Sequence, residues 1–334
     1  MRRINRSVIL DFIRQNSPVA RSTVARELGL SLPTVMRVVD DLMEEDLVKL
    51  EGTQESTGGR PRPLIEFNAD AYAIIGVDLG GTKMFGTIAD LNGTVQHEIY
   101  MPHNEHGPSD PVERLCELIQ RLIGRRRPEG QRIRGIGVGA PGLTITPEGI
   151  VMWAPSLGWR EFPLQDVLQE RFDVPVLVEN DVNLAALGEW GFGAGHGARS
   201  LVAIAIGTGI GAGIVIDGAL YRGHHQAAGE IGYVLPGPSY LGQRFDGFGA
   251  LESLASGTGI ADRARQILPK STSGWKDLTA EDVFIAARGG ATWALKVVDE
   301  TVDYLSLAIA NVHSLFDPEV IVLGGGVARS ADLL

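Results

Sequence analysis

Residues 73–100 read AIIGVDLGGTKMFGTIADLNGTVQHEIY. Two apolar runs are joined by DLGGTK, and a second turn follows at Asn92-Gly93, a dipeptide that favours tight hairpin turns. The stretch predicts consecutive strands of a sheet with a glycine turn between the first two. Gly80 and Gly81 let the backbone approach a ligand closely, and Thr82 and Lys83 supply donors. Asp78, at the strand end, could hold a magnesium ion through water.

The same design returns at VAIAIGTGIGAGIVIDG (202–218), where Gly207, Thr208 and Gly209 separate two further apolar runs. One glycine turn says little, because ordinary hairpins use glycine too. Two of them, each between strands and each carrying a threonine, point to loops that hold phosphates. Between the two lies VPVLVENDVNLAALGEW (174–190), an apolar strand ending at Glu179-Asn180-Asp181 with a helix after it. Open α/β sheets place ligands at the carboxyl ends of such strands; the plainer reading is that Asp181 caps the helix. VIVLGGGV (320–327) reads as a buried strand followed by Gly324, Gly325 and Gly326, suited to a flat nucleotide passing over backbone.

Two acids stand apart. GEIGYVLP (229–236) and GALESLASG (249–257) each set one carboxylate, Glu230 and Glu252, among small and apolar neighbours. That pattern predicts partial burial, which costs several kcal/mol for an unpaired carboxylate, roughly. The missing partner would be a metal, a substrate or the two acids' own loops. Other chemistries fail on spacing. No GxxxxGK[ST] loop, HExxH or CxxC occurs, and GVGAPG (137–142) has Pro141 inside it and no helix after it. His224 and His225 would point apart along a strand, which argues against a shared metal.

The first seventy residues have another character. Residues 1–68 hold ten Lys+Arg and ten Asp+Glu, so the body carries all of the net charge of −11. Ile4, Val8, Ile9, Phe12 and Ile13 share one helical face. Two short helical patterns then flank Gly29, and the second starts at Ser31, a good N-cap, with Pro33 tolerated in the first turn. Its apolar set is Val35, Val38, Val39, Leu42 and Met43, leaving Thr34 and Arg37 on the opposite face. This is a helix-turn-helix signature whose second helix would enter a major groove. VKLEG and PLIEF read as strands enclosing a wing with Arg60 and Arg62. The DNA-facing set is therefore Ser31, Pro33, Thr34, Arg37, Arg60 and Arg62; the plainer alternative is a small docking or dimerisation domain.

With 334 residues, 44% hydrophobic and 21% charged, the chain is an ordinary folded one of two or three domains. A single cysteine, Cys116, excludes an intramolecular disulfide and fits a reducing cytoplasm. The basic start, its apolar run interrupted by Asp11 and Arg14, does not read as a signal peptide, and residues 201–216 read as too short and glycine-rich to span a membrane.

Taken in order, DLGGTK, the APG loop (140–142), END, GTGIGAG, AGEIG, ESLASG and VLGGG resemble the ROK family of sugar kinases and sugar-responsive repressors. The likeness runs from about Ile4 to Leu334. It implies an α/β fold with a winged helix-turn-helix over residues 1–70 and a two-lobed actin-like body over 71–334. It also implies a duplex DNA operator, a sugar effector, a homodimer or homotetramer, and ATP with magnesium. By the same resemblance Glu230 and Glu252 bind sugar hydroxyls with Gly142, Asn180 and Asp181, and Asp181 is the general base of any phosphoryl transfer. Asp78, Gly80, Gly81, Thr82, Lys83, Gly207, Thr208, Gly209, Gly324 and Gly325 would serve the nucleotide.

The sequence departs from the family pattern in three places. A family histidine that binds zinc and touches sugar is replaced by Tyr233, and the three zinc cysteines fall on Gln243, Phe245 and Ala250, so no zinc is expected. Tyr233, Tyr240, Phe245 and Phe248 could pack there as an apolar plug. Ser156 stands where an asparagine is expected. Family domains also continue past VLGGG, whereas this sequence stops at SADLL, so the chain is cut short or the nucleotide lobe is incomplete. The expected function is a sugar-sensing transcriptional regulator, a repressor, that binds sugar with slow or no turnover. A sugar kinase and a regulator whose body only dimerises or docks a protein remain the alternatives.

Overall fold

The computed structural model describes residues 2–54, 62–81, 83–102, 110–126, 131–245, 249–272 and 274–334. Arg60, Thr82 and Phe248 lie outside them. The head contains α1 (Arg2–Asn16), β1 (Val19–Ala20), α2 (Arg21–Glu27), α3 (Leu32–Glu44), β2 (Val48–Gln54) and β3 (Arg62–Phe67). Three more strands follow: β4 (Tyr72–Leu79), β5 (Lys83–Asp90) and β6 (Val95–Pro102). Next come α4 (Pro111–Ile123), β7 (Arg132–Ala140), β8 (Leu143–Ile145), β9 (Ile150–Ala154), β10 (Trp159–Phe162) and α5 (Leu164–Gln169). The chain continues through β11 (Val176–Asn180), α6 (Asp181–Phe192), β12 (Ser200–Ile206), β13 (Ile210–Ile216) and β14 (Ala219–Leu220). It ends with α7 (Ala250–Ala255), α8 (Gly257–Ile267), α9 (Ala280–Arg288), α10 (Thr292–Phe316) and β15 (Val320–Gly324).

Two compact units result. One holds Met1–Val77, Thr82–Gly137 and Leu168–Val176; the other holds Asp78–Gly81, Val138–Val167 and Leu177–Leu334.

The head forms as its periodicity dictates. Ser31 caps α3, its hydroxyl accepting from the Thr34 N–H at 3.4 Å, and Pro33 sits in the first turn. Val35, Val38, Val39 and Leu42 are buried with Ile9, Ile13, Val24, Val48 and Ile65. Gly29 makes the turn between α2 and α3 at φ +62°. The face expected of α1 is narrower than predicted: Ile9 and Ile13 are fully buried, but Val8 is 43% exposed. Val8 is one residue, about 100° of helix, away from Ile9. The Ile4 side chain is not among those described.

The head is fastened to the rest of its unit by polar groups as well as packing. The Tyr72 hydroxyl donates to the Glu45 carbonyl oxygen at 2.9 Å and accepts from Arg132 Nη2 at 2.9 Å. Arg132 also pairs with Asp46 at 2.8 Å and stacks over the Tyr72 ring, 4.7 Å from its centroid. Leu91, beyond the β5 end, packs against the head core. The compact unit therefore does not end at residue 70.

The glycine turns lie where the alternation placed them. β5 and β6 pair antiparallel around Asn92-Gly93, with Asp90 Oδ1 accepting from the Asn92 and Thr94 N–H groups at 2.9 Å each. The five-stranded sheet runs in the order β11-β7-β4-β5-β6. In the second unit β12 and β13 pair antiparallel across residues 207–209, within the order β14-β13-β12-β15. Strand alternation covers both faces of this sheet. Val202, Ile204, Ile206, Ala212 and Ile214 join a core with α7 to α10, while Leu201, Ala203 and Val215 pack on Ala186 of α6. β15 departs from the expected buried strand. It lies at the sheet edge, parallel to β12, and Leu323 is 48% exposed.

Among the described residues no helix is long and apolar enough to cross a membrane.

Candidate functional site

The predicted acids converge in the second unit because two loops are stapled beside β13. Gly229 sits at φ +91°, and a Cβ there would come within 1.8 Å of the Ala212 carbonyl oxygen. The Gly229 carbonyl accepts from the N–H groups of Ala212 and Ile231, each at 2.7 Å. Glu230 is thereby set at the strand's flank, half-buried, and among the described residues no hydrogen-bond donor reaches its carboxylate. Burial pushes its pKa up.

Glu252 projects from α7 to the second glycine turn. Its Oε2 accepts from the Ile210 N–H at 2.7 Å, and a Cβ on Gly209 would lie 2.6 Å from that same oxygen. Burial raises the Glu252 pKa, the Ile210 bond opposes the rise, and the Glu230 charge adds to it.

The third acid comes from the END corner. Asn180, not Asp181, caps α6: its Oδ1 accepts from the Asn183 N–H at 3.0 Å. Its amide nitrogen donates to the Gly142 carbonyl at 3.0 Å and to Asp181 Oδ1 at 3.1 Å. Gly142 has φ +81°, and a Cβ would meet the Trp153 carbonyl oxygen at 2.1 Å, so the APG loop has room for glycine alone. Asp181, relieved of the cap, has its pKa pushed up to about 6. Burial is the main cause; the Val182 N–H opposes it, and the charges of Asp78 and then Glu230 add to it. Tyr233 belongs to the same cluster, its hydroxyl pKa raised by burial and by the charges of Glu230 and Glu252, though its ring is 53% exposed.

A buried pair that sequence reasoning missed supports this corner. Glu179 Oε1 accepts from the Asn180 N–H and from Asn183 Nδ2, both at 3.0 Å, and Oε2 pairs with Arg222 Nε at 2.7 Å. The signal was half present: an acid at the end of a buried strand requires a cation. Nothing local names Arg222 as that cation.

The glycines expected to serve a nucleotide differ in how open they are. Cβ atoms placed on Gly207 and Gly324 would meet nothing within 4 Å, whereas Gly325 is packed against Ile206. The turn is braced from behind, with Gly257 N–H donating to the Gly207 carbonyl at 2.7 Å and Thr258 Oγ1 to the Thr208 carbonyl at 2.8 Å. Gly81 is confined by Ser156, whose Cβ would stand 2.7 Å from a Gly81 Cβ. Gly80 lies beside it at the end of β4. Lys83 belongs to the other unit, where its ammonium sits 5.4 Å from the Tyr100 ring centroid.

In the head, Arg37 is exposed with no ion pair among the described residues, and the Ser31 and Thr34 hydroxyls lie 2.8 Å apart. Arg62 opens β3, exposed, with Nη1 3.4 Å from Ser22 Oγ.

Two expectations need correction. Residues 221–228 form turns, not a strand, so the His224 and His225 rings do not point apart; their centroids are 4.5 Å apart. No group of three or more metal-ligating side chains occurs among the described residues. The apolar plug is also reassigned: Tyr233 stays exposed, while Tyr240 pairs with Phe245 and, through its hydroxyl, with Tyr304.

The model of the ROK family matches residues 74–334, and a model of winged helix-turn-helix DNA-binding domains matches residues 2–49. The chain belongs to the ROK family. Its fold is a winged helix-turn-helix followed by the actin-like sugar-kinase fold of that family. A ROK family transcriptional regulator, titled a homolog of the E. coli MLC protein, superposes with a TM-score of 0.84 at 28% identity, covering 100% of this chain and 85% of that one. The xylose repressor of Caldicellulosiruptor bescii is 29% identical over 100% of this ROK chain and 86% of its own. The glucokinase of Halalkalibacterium halodurans is 39% identical but covers 78% of this chain and 82% of its own length.

Proposed function

We propose that this ROK protein is a sugar-responsive transcriptional repressor that binds duplex DNA as a symmetric dimer. The observation that carries the reading is the union, in one chain, of a winged helix exposing Arg37 with a body presenting a Glu230 carboxylate that no donor among the described residues reaches. Likeness to a xylose repressor along the full chain supports it. Glu230 and Glu252 accept hydrogen bonds from sugar hydroxyls, and Asn180 holds the Gly142 carbonyl and the Asp181 carboxylate in place beside them. The bare backbone at Gly207 and Gly324 would take the phosphates of ATP. Asp78, near enough to Asp181 to raise its pKa, would share a magnesium ion with those phosphates.

The full chain, offered a random duplex pool at low salt, is expected to enrich a two-fold symmetric site, and D-xylose or D-glucose to shift its melting temperature. Arg37→Ala should relax sequence preference. Arg62→Ala should weaken binding across all sequences and lower the salt slope by about 1. Failure to retain any DNA would overturn the regulator.

One observation favours a sugar kinase as the second reading. Asp181 at about 6 is poised to take a proton near neutrality, as a general base must be. Sugar-dependent ATP consumption at about 1 s⁻¹ or faster, lost in Asp181→Asn, would establish the kinase instead.

A further inference from the structure

The zinc that the family resemblance implies does not fit here. The four corresponding positions are Tyr233, Gln243, Phe245 and Ala250, which offer neither thiolate nor imidazole. The segment they span is nevertheless closed at both ends. Leu251 N–H donates to the Val234 carbonyl at 3.2 Å, and a Cβ on Gly249 would lie 2.1 Å from Tyr233 Cα, so departing and returning chain touch. Tyr233 stands at one side of this neck and Glu252 at the other.

The far end is tied to α10. The hydroxyls of Tyr240 and Tyr304 lie 2.7 Å apart, their rings meet edge to face at 6.1 Å, and Phe245 flanks Tyr240 at 6.3 Å. Tyr304 in turn lies beside the Arg263 guanidinium, 5.4 Å from ring centroid to Cζ. Arg263 is buried and spends its donors on two helices. Nη1 reaches the Leu254 carbonyl of α7 at 2.8 Å and Thr301 Oγ1 at 2.9 Å; Nη2 reaches the Val297 carbonyl at 2.9 Å and Glu300 at 2.7 Å.

These contacts close a circuit. It runs from Glu252 along α7 to Leu254, through Arg263 and Tyr304 to Tyr240, and back along the segment to Tyr233. A groove lined by Val234, Leu235, Leu251, Tyr304, Leu307 and Ala308 remains between the segment and α10. Val234 packs on the helical core at the near side of this groove, and the Tyr240–Tyr304 hydroxyl pair adds a polar tie across to α10.

We propose that Tyr240, Tyr304 and Arg263 form a metal-free clasp that positions Tyr233 and Glu252 for the sugar. This rests on the reading of Glu230 and Glu252 as sugar acceptors. The tyrosines act through those residues and are positioning residues.

The test uses the full chain and two independent readouts. In Tyr304→Phe and Tyr240→Phe, amides of residues 234–245 and 249–251 should exchange with solvent at least about tenfold faster, with DNA binding in the absence of sugar unchanged. Unchanged exchange in both variants overturns the clasp whether or not any sugar binds. D-xylose and D-glucose are the ligand probes. Whichever the wild type binds should bind each variant about five- to tenfold more weakly, the worth of one hydrogen bond. The double variant should be no worse than either single one, as expected for a shared bond. Equal affinity in wild type and variants overturns the clasp, whereas a wild type that binds neither sugar counts against the proposed function. Elemental analysis should find no stoichiometric zinc, and chelator should leave exchange of the segment slow; one zinc per chain would replace the clasp with a metal.

Discussion

Glu230→Ala will cost about a hundredfold or more in sugar affinity while making the sugar-free protein more stable. The carboxylate is half-buried and no donor among the described residues reaches it, so on the proposed reading it destabilises the sugar-free site and gains its partners from sugar hydroxyls. A charged acceptor serving two hydroxyls is worth about 3 kcal/mol or more, which is where the hundredfold comes from. Asp181→Asn carries the same logic in a pH-dependent form. The folded carboxyl titrates at about 6 against an ordinary 3.8, so the folded state holds this proton more tightly than the unfolded state does. Stability from this group is therefore full below about pH 4, declines as pH rises towards 6, and is level above that. The full difference would be about 3 kcal/mol at neutral pH, which partial exposure trims to about 1–2. Asp181→Asn should gain that amount at pH 7 and almost nothing at pH 4, measured by urea unfolding. A variant less stable than wild type at pH 7 would show that the acids hold the fold together instead of waiting for a ligand.

The second large effect is at Arg222. Arg222→Ala removes the cation from Glu179, whose side chain is 8% exposed, and leaves a carboxylate with only neutral donors. Breaking a buried pair costs about 3–5 kcal/mol; Arg222 is itself one-third exposed, so about 2–4 is expected. Adding Glu179→Gln should restore most of the loss, because the amide needs no counter-charge. Since Glu179 holds the Asn180 N–H and the Asn183 side chain, Arg222→Ala should weaken sugar binding as well. A change within about 0.5 kcal/mol, the range of an ordinary surface substitution, would show the pair to be idle.

What was legible in the sequence is what short-range chemistry decides. Both glycine turns, the Asn92-Gly93 hairpin, the Ser31 cap and the buried set of α3 each follow from a few adjacent residues. The unusual acids could be picked out because their neighbours are small and apolar. Errors arose where a local rule was applied outside its element. Strand alternation does not apply to His224 and His225, which lie in a segment of turns, and the apolar run of β15 is not a buried strand because it lies at the sheet edge. Polar pairings over long separations left no local trace: Glu179 and Arg222 are 43 positions apart, Tyr240 and Tyr304 are 64 apart.

The fastening at Tyr72 bears on how such regulators can be recombined. A winged helix cut out at residue 70 and grafted onto another body would leave behind the hydroxyl that holds the Glu45 carbonyl and the guanidinium that holds Asp46. It would also lose Leu91 from the edge of its core. The transplanted head would keep the Arg6–Glu45 ion pair and the Asn68 bond to the Asp46 carbonyl, but not the Tyr72 and Arg132 contacts that brace the end of α3. Under the proposed reading, exchange of DNA specificity between relatives is better attempted by rewriting the exposed face around Thr34 and Arg37 than by swapping the head whole.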